Sequence, residues 1–292
     1  MSSLSTVKRS LIDLATRNLG IRNVNRIRRF KAWLTRPFEN DAPVVANYRQ
    51  TEPELNIGLA LLDTFAQGDR PTVLDIGANI GGYSQHISAA LQPRGGRCIG
   101  FEPRSDLNAR LRRNVRQPNF VAERLAISDS EGIAEIYMPP SHGLSSLVPM
   151  PGFAGYKSEH VAKTTVDRYV EAHEIKNIVM IKIDVEGHEL EALAGATETL
   201  TREQPVVLCE SENRHLIPQG KRVDQLIEFF AKLGYGAWVM SFEQRRVLAV
   251  SEISIPVDRE PGVEYFNNFW LVPHAKRDAA LEIMQRVVAA RV

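Results

Sequence analysis

Apolar and polar positions change rhythm several times along the chain. Leu4, Val7, Leu11 and Leu14 recur at helical spacing, as do Val24, Ile27, Phe30 and Trp33, so the pattern predicts two amphipathic N-terminal helices. A further helix is expected near Glu52 to Phe65. Short apolar runs then alternate with helical spacings: Pro71 to Ile76 before Gly82 to Leu91, and Arg97 to Glu102 before Leu107 to Val115, with Asn119 to Leu125 as a third strand. Ile178 to Asp184 leads into Leu190, Leu193, Thr197 and Leu200, read as one helical stripe, and Pro205 to Glu210 leads by a loop into Val223 to Leu233. Ala237 to Ser241 and Asn268 to Val272 are the sixth and seventh strands, and Lys276 to Val288 is a closing helix. Such alternation builds a parallel sheet covered by helices. Between residues 132 and 165 the rhythm gives way to Pro, Gly and Ser. A long irregular insertion of this kind is expected to cover a substrate. The chain thus divides into an extension, 1–50, and one α/β domain, 51–292.

Composition adds limits. The 292 residues, 43% of them hydrophobic, suffice for one large domain. Lys plus Arg number 36 against 35 Asp plus Glu, so no molecule-wide field draws in a polyanion and no nucleic-acid partner is expected. Apolar runs are far too short for a membrane helix, which leads to the expectation of a soluble, cytoplasmic protein. The balance hides an asymmetry: residues 1–36 hold nine Lys or Arg and one acid, Asp13. The favoured account is a cap with solvated charges; the alternative is contact with anionic lipid at the cytoplasmic membrane face, or with an acidic partner. Cys98 and Cys209 lie in strand-like runs and are expected to be buried thiols, and the scattered histidines do not predict a zinc site.

An open parallel sheet does its chemistry at the carboxyl ends of its strands. There lies Asp75-Ile-Gly-Ala-Asn-Ile-Gly-Gly82, in which Gly77 and Gly81 allow close backbone approach. It is not a dinucleotide fingerprint, because Asn79 occupies the place of the second glycine, nor is it a phosphate-cradling P-loop. Glu102 ends the second strand, where an acid can accept both hydroxyls of an adenosine ribose. With Asp75 it makes an acidic site suited to a cationic nucleoside such as S-adenosylmethionine.

Val73 to Ser84, Gly100-Phe-Glu-Pro103, Leu125-Ala-Ile-Ser-Asp129, Thr165-Val-Asp167 and Ile181-Lys-Ile-Asp-Val-Glu-Gly-His-Glu189 occur in the order seen in FkbM-type methyltransferases. The chain resembles that family over roughly residues 52 to 273. The resemblance implies a Rossmann-like class I methyltransferase fold: a seven-stranded, mostly parallel sheet whose last strand is antiparallel. It also implies S-adenosylmethionine as methyl donor and a hydroxyl of a sugar, glycan, glycolipid or natural product as acceptor. Carried over by position, Asp75, Gly77, Asn79 and Gly81 would line the methionine end and sugar of the cofactor, Glu102 would hold the ribose, and Ala126 and Asp129 would contact the adenine, with a turn cap as the alternative for Asp129.

Asp184 would end the fourth strand beside the transferred methyl group. The acceptor hydroxyl must lose its proton, and His188 has a suitable unperturbed pKa; Asp184 or Glu186 could serve if crowding raised theirs. The pattern leaves these three catalytic candidates open. Glu189 fits the first turn of a helix, where acids favour the dipole, and Lys182 either neutralises the acids or snorkels. Asp184 with Glu210 could instead hold Mg²⁺, with Glu212 nearby; hydrogen bonding of these acids to sugar hydroxyls is the favoured account. Within the insertion, Ser145, Ser146, His142 and His160 are acceptor-contact candidates outside the catalytic set.

Two other classes share some features. A nicotinamide-dependent oxidoreductase would have the glycine turn and ribose acid, but Asn79 opposes it. A catalytically silent adenosyl-binding module could dock through the basic N-terminus, although the Gly77, Glu102 and Asp184 set opposes that. A nucleic-acid methyltransferase would carry an Asn/Asp-Pro-Pro-aromatic motif after the fourth strand, which is absent.

Overall fold

Buried strands of this chain are short and apolar on both faces, as the middle of a helix-covered parallel sheet requires. The computed structural model describes residues 53–138, 145–148, 156–260 and 262–290. The two basic helices, the boundary near residue 50, the lipid or acidic-partner contact of residues 1–36, and His142 lie outside them.

The elements run α1 (Glu54–Phe65), β1 (Thr72–Ile76), α2 (Gly82–Leu91), β2 (Arg97–Phe101), α3 (Ser105–Asn114), β3 (Phe120–Glu123), β4 (Ala126–Ile127), β5 (Gly132–Met138) and β6 (Lys157–Thr164). They continue with α4 (Val166–Ala172), β7 (Ile178–Ile183), α5 (Glu189–Ala194), α6 (Thr197–Glu203), β8 (Val206–Glu210), α7 (Asn213–Leu216) and α8 (Val223–Lys232). Last come β9 (Tyr235–Ser241), β10 (Arg246–Ala249), β11 (Asn268–Pro273) and α9 (Arg277–Ala289).

The main sheet has the order β10-β9-β11-β8-β7-β1-β2-β3. β3, β2, β1, β7 and β8 are parallel, while β11 runs antiparallel to both β8 and β9. The antiparallel closing strand is therefore present. The expected count of seven becomes eight, because residues 242–245 turn the chain back and Arg246–Ala249 pairs with Ser241 to Trp238 as a hairpin. Alternate side chains of each strand feed two cores. Leu74, Ile181 and Val207 pack with Val166, Leu193, Leu226 and Phe230 on one face. Val73, Met180, Leu208 and Trp270 pack with Leu55, Leu61, Ile87 and Met284 on the other. Cys98 and Cys209 are buried free thiols within these layers.

Two expectations need correction. The stripe from Leu190 to Leu200 is two helices, α5 and α6, broken at Gly195-Ala196. A Cβ on Gly195 would lie 2.1 Å from the Ser128 carbonyl oxygen, and the Asp167 carboxylate accepts from the N–H groups of Glu198 (3.0 Å) and Thr199 (2.7 Å), giving α6 its own start. The insertion is also not irregular throughout. β5 and β6 pair antiparallel from Gly132↔Lys163 to Met138↔Lys157, and β4 adds in parallel to form a second, three-stranded sheet. β5 hides from pattern reading because Ile133 is exposed while Ile136 is buried, so its isoleucines sit on opposite faces and no period-2 stripe forms. Among the described residues no helix is long and apolar enough to cross a membrane.

Candidate active site

The carboxyl ends of β1, β2 and β7 open into a cleft walled on its far side by β4 and by Ser145, Ser146 and Leu147. Of the residues singled out in the sequence, Gly77, Asn79, Glu102, Ala126, Asp184, Glu186 and His188 line it.

One end is built around Glu102. It directly follows β2 and is 5% exposed. Its Oε2 accepts from the backbone N–H of Asn79 (3.0 Å) and its Oε1 from that of Arg104 (3.0 Å). Burial pushes its carboxyl up to about 7, against the pull of those two N–H groups and the Arg104 charge. Asn79 turns through a left-handed conformation (φ 50°) to present its N–H, and its side-chain oxygen is buried without a hydrogen-bond partner. Phe101, Leu107, Leu125 and Ile127 supply apolar walls here.

Beneath the floor lies a buried ion triad. Asp75 is fully buried; its Oδ2 accepts from Ser84 Oγ at 2.5 Å. Lys182 Nζ sits 3.9 Å from Asp75 Oδ1, 3.0 Å from Asp184 Oδ2 and 5.8 Å from the Tyr83 ring centroid. Burial alone would push the Lys182 pKa down, but Asp184 and then Asp75 outweigh it and hold the ammonium form. Burial raises the Asp75 carboxyl, with Lys182 opposing. Lys182 thus neutralises the acids and does not snorkel.

At the other end the chain after β7 twists sharply, with positive φ at Glu186 (54°) and Gly187 (98°). Burial, then Asp184 and Glu210, push the Glu186 carboxyl well above the usual range. Its Oε2 lies 3.4 Å from His215 Nδ1, and its carbonyl accepts from Ser146 Oγ at 2.7 Å. His188 precedes α5; its Nε2 is 3.0 Å from Ser128 Oγ, and burial lowers its pKa, with Glu191 opposing. Glu189 is a buried first residue of α5 whose Oε1 accepts from Gly187 N–H at 2.8 Å, and burial pushes it up to about 7.

Three cofactor candidates do not reach the cleft wall. Asp75 supports the floor from beneath. Gly81 serves helix packing: a Cβ there would lie 2.4 Å from Val115 Cγ2. Asp129 is half exposed outside the cleft wall, accepting from the hydroxyls of Ser130 (2.8 Å) and Ser128 (3.2 Å) with Lys163 at 3.7 Å. The sequence reading missed Arg104, whose fork grips Asp106 while Nη1 donates to Ser145 Oγ at 2.6 Å, and His215, which lies beyond the family motifs and has no local signal.

The Mg²⁺ pair does not fit. The Lys182 ammonium donates to Asp184, Asn267 Nδ2 donates to Glu210 Oε1 at 2.7 Å, and Glu212 is shared by Arg214 and Tyr265. Among the described residues no group of three or more His, Cys, Asp or Glu is placed to hold a metal ion.

The strand order, the antiparallel β11 and an acid closing β2 over the turn after β1 define the class I methyltransferase fold. Residues 75–236 match the family model described as the methyltransferase FkbM domain, and the chain belongs to that family. It is 30% identical over 159 residues to the hexuronic acid methyltransferase AglP of Haloferax volcanii, a match covering 52% of this chain and 60% of that protein. The chain therefore spans less than two thirds of that relative. Among solved structures, methyltransferase FkbM from Methylobacillus flagellatus KT aligns with a TM-score of 0.43 and 16% identity over 84% of this chain and 59% of that one. Magnesium protoporphyrin IX methyltransferase (ChlM) from Synechocystis PCC 6803 gives 0.42 and 10% over 86% and 92%.

Proposed function

We propose that the protein transfers a methyl group from S-adenosylmethionine to a hydroxyl of a sugar, glycan, glycolipid or other hydroxylated natural product. The observation that carries this is Glu102: each carboxylate oxygen is fixed by a backbone N–H and keeps a lone pair for a ribose hydroxyl. The unpartnered Asn79 side-chain oxygen beside it fits a donor group of the same ligand. Phe101, Leu125 and Ile127 offer the apolar surface an adenine needs, and Asp184 and Glu186 bring negative charge to the end where the sulfonium would lie. The family match to a hexuronic acid methyltransferase supports a sugar acceptor. The donor supplies an electrophilic methyl carbon on a cationic sulfur. The protein's share is to hold the acceptor oxygen in line, exclude water and take the hydroxyl proton. Among the three candidates Glu186 is best suited to take it: it lines the cleft, and burial, then Asp184 and Glu210, raise its affinity for a proton above that of an ordinary carboxylate. His188 is engaged with Ser128 and pushed down. Calorimetry on the full chain with S-adenosylhomocysteine is expected to show one site per chain, weakened by Glu102→Ala. Absence of binding by the unaltered protein would sink the reading.

A further inference from the structure

Glu186 lines the cleft, and behind it stands His215, whose Nδ1 lies 3.4 Å from Glu186 Oε2. This approach is built into the fold. Gly187, at φ 98°, lets α7 come close: a Cβ there would lie 3.1 Å from His215 Cβ. Gln219 Nε2 donates to the carbonyls of Gly187 (2.8 Å) and His215 (2.9 Å), so one side chain ties the turn after β7 to α7. At the start of α7, Asn213 Oδ1 accepts from Val223 N–H at 3.0 Å, and its Nδ2 donates to the carbonyls of Ile255 and Pro256. From the cleft side, Ser146 Oγ holds the Glu186 carbonyl at 2.7 Å. The imidazole and the backbone that carries the carboxyl are thus fixed relative to one another.

A neutral imidazole has one donor and one acceptor nitrogen, and a carboxylate can only accept. Burial and then Arg214 lower the His215 pKa, which favours the neutral ring near pH 7. Among the described residues, Asp184, Glu210, Glu189 and Glu212 act against ionisation of Glu186; Arg214, Glu212, Asp184 and Asp258 act on His215, and Lys182 is held by Asp184. An N–H donated to a carboxylate favours its charged form. Resting on the methyl-transfer reading above, we infer that His215 is a positioning residue for Glu186: its Nδ1–H donates to Oε2, leaves Oε1 for the acceptor hydroxyl and offsets part of the repulsion from the surrounding acids. The hydroxyl proton passes to Oε1 as the oxygen–methyl bond forms and the sulfur–methyl bond breaks, and His215 keeps its own proton throughout. At 3.4 Å the contact is longer than a strong hydrogen bond, as catalytic pairs often are before substrate draws them together.

The Glu186 carboxyl can be followed directly by NMR in the full chain, isotopically labelled at its glutamate carboxyl carbons; its signal is the one lost in Glu186→Gln. His215→Leu should move the titration midpoint of that signal up by about one pH unit, the worth of one hydrogen bond to a charged group. His215→Asn places Nδ2 where Nδ1 stood, the same number of bonds from Cβ, and cannot titrate. It should bring most of the shift back. The midpoint is insensitive to any general loss of folded protein. An unmoved midpoint in His215→Leu, or an equal displacement in His215→Asn, overturns the inference. With methyl-labelled S-adenosylmethionine and p-nitrophenyl glucoside or glucuronide as acceptor, the rise of kcat with pH should move in His215→Leu as the midpoint does, with KM for the donor unchanged; a kcat profile that stays in place overturns the inference as well. Binding of S-adenosylhomocysteine without turnover of either probe overturns the sugar assignment alone, since the midpoint needs no acceptor. Absence of that binding in the unaltered protein overturns the methyl-transfer reading, and with it the part given to His215 in the reaction, whatever the midpoint does.

Discussion

A Cβ added to Gly77 would lie 1.9 Å from the carbonyl oxygen of Asp184. The glycine that opens the turn after β1 is therefore required by the protein's own backbone, where β1 and β7 emerge side by side, and by its φ of 83°. Gly77→Ala should cost roughly 3 kcal/mol or more, since both conformation and space are wrong. Gly95→Ala is the control: φ is also positive (64°), yet nothing lies within 4 Å of the new methyl, so about 1 kcal/mol is expected. Urea denaturation of the two variants gives the comparison, and equal losses would show that the contact with Asp184 is unimportant.

Lys182 is the counter-ion of two carboxylates in a nearly dry place. Lys182→Met should destabilise the fold by about 3–5 kcal/mol, because it leaves Asp75 buried without a cation. Adding Asp75→Asn should restore part of that loss. A double-mutant cycle in urea showing simple additivity would contradict the coupling.

Glu189 is pushed up to about 7 in the folded protein from an ordinary value of 4.5. A carboxyl raised on folding gives stability that is fully present below the unfolded value and lost as pH rises through the folded one. The loss from this residue should fall between about pH 4.5 and 7 and reach on the order of 3 kcal/mol. Glu189→Gln retains an oxygen to accept from Gly187 N–H. It should raise the melting temperature at pH 8 and leave it unchanged at pH 4, a pattern checked by calorimetry at the two pH values.

Glu102, also pushed up to about 7, predicts a pH effect on binding. Two ribose hydroxyls donate best to an ionised carboxylate, so affinity for S-adenosylhomocysteine should rise from pH 6 to pH 8. Glu102→Gln should bind more weakly and show little of this dependence. An unaltered pH profile in that variant would place the ribose elsewhere.

The strands and their acids were legible because each is a local signal: Thr72–Ile76 and Ile178–Ile183 are apolar runs each carrying a single charge, Asp75 and Lys182, and Glu102 and Asp184 directly follow their strands. What stayed hidden depends on contacts between distant segments. Gly195 breaks a good helical stripe because Ser128 lies against it. Asp75 and Gly81 belong to the same motif as Asn79, but motif membership does not tell which way a residue faces: Asp75 points to Ser84 and Lys182 below the floor, and Gly81 faces α3. His215 reaches Glu186 from α7, 29 positions later, with nothing in its neighbourhood to announce it.

Glu186 combines two costs that can be separated by experiment. Its backbone is left-handed, a conformation that disfavours a side chain, and its carboxyl is buried among other acids. Glu186→Gly should relieve the first cost, by about 1 kcal/mol, and remove the second, so that the protein melts at a higher temperature. Glu186→Gln retains the backbone strain and removes only the ionisable group. If the carboxylate accepts the acceptor's proton, kcat of the unaltered enzyme should rise with pH as Glu186 ionises, both variants should lose roughly 10²–10⁴-fold in kcat, and that rise should disappear in both. A structural role alone predicts a different split, in which Glu186→Gln, preserving shape, keeps its turnover and its pH profile while Glu186→Gly loses both. Methyl-transfer rates from pH 5 to 9, set beside melting curves of the same preparations, separate these cases.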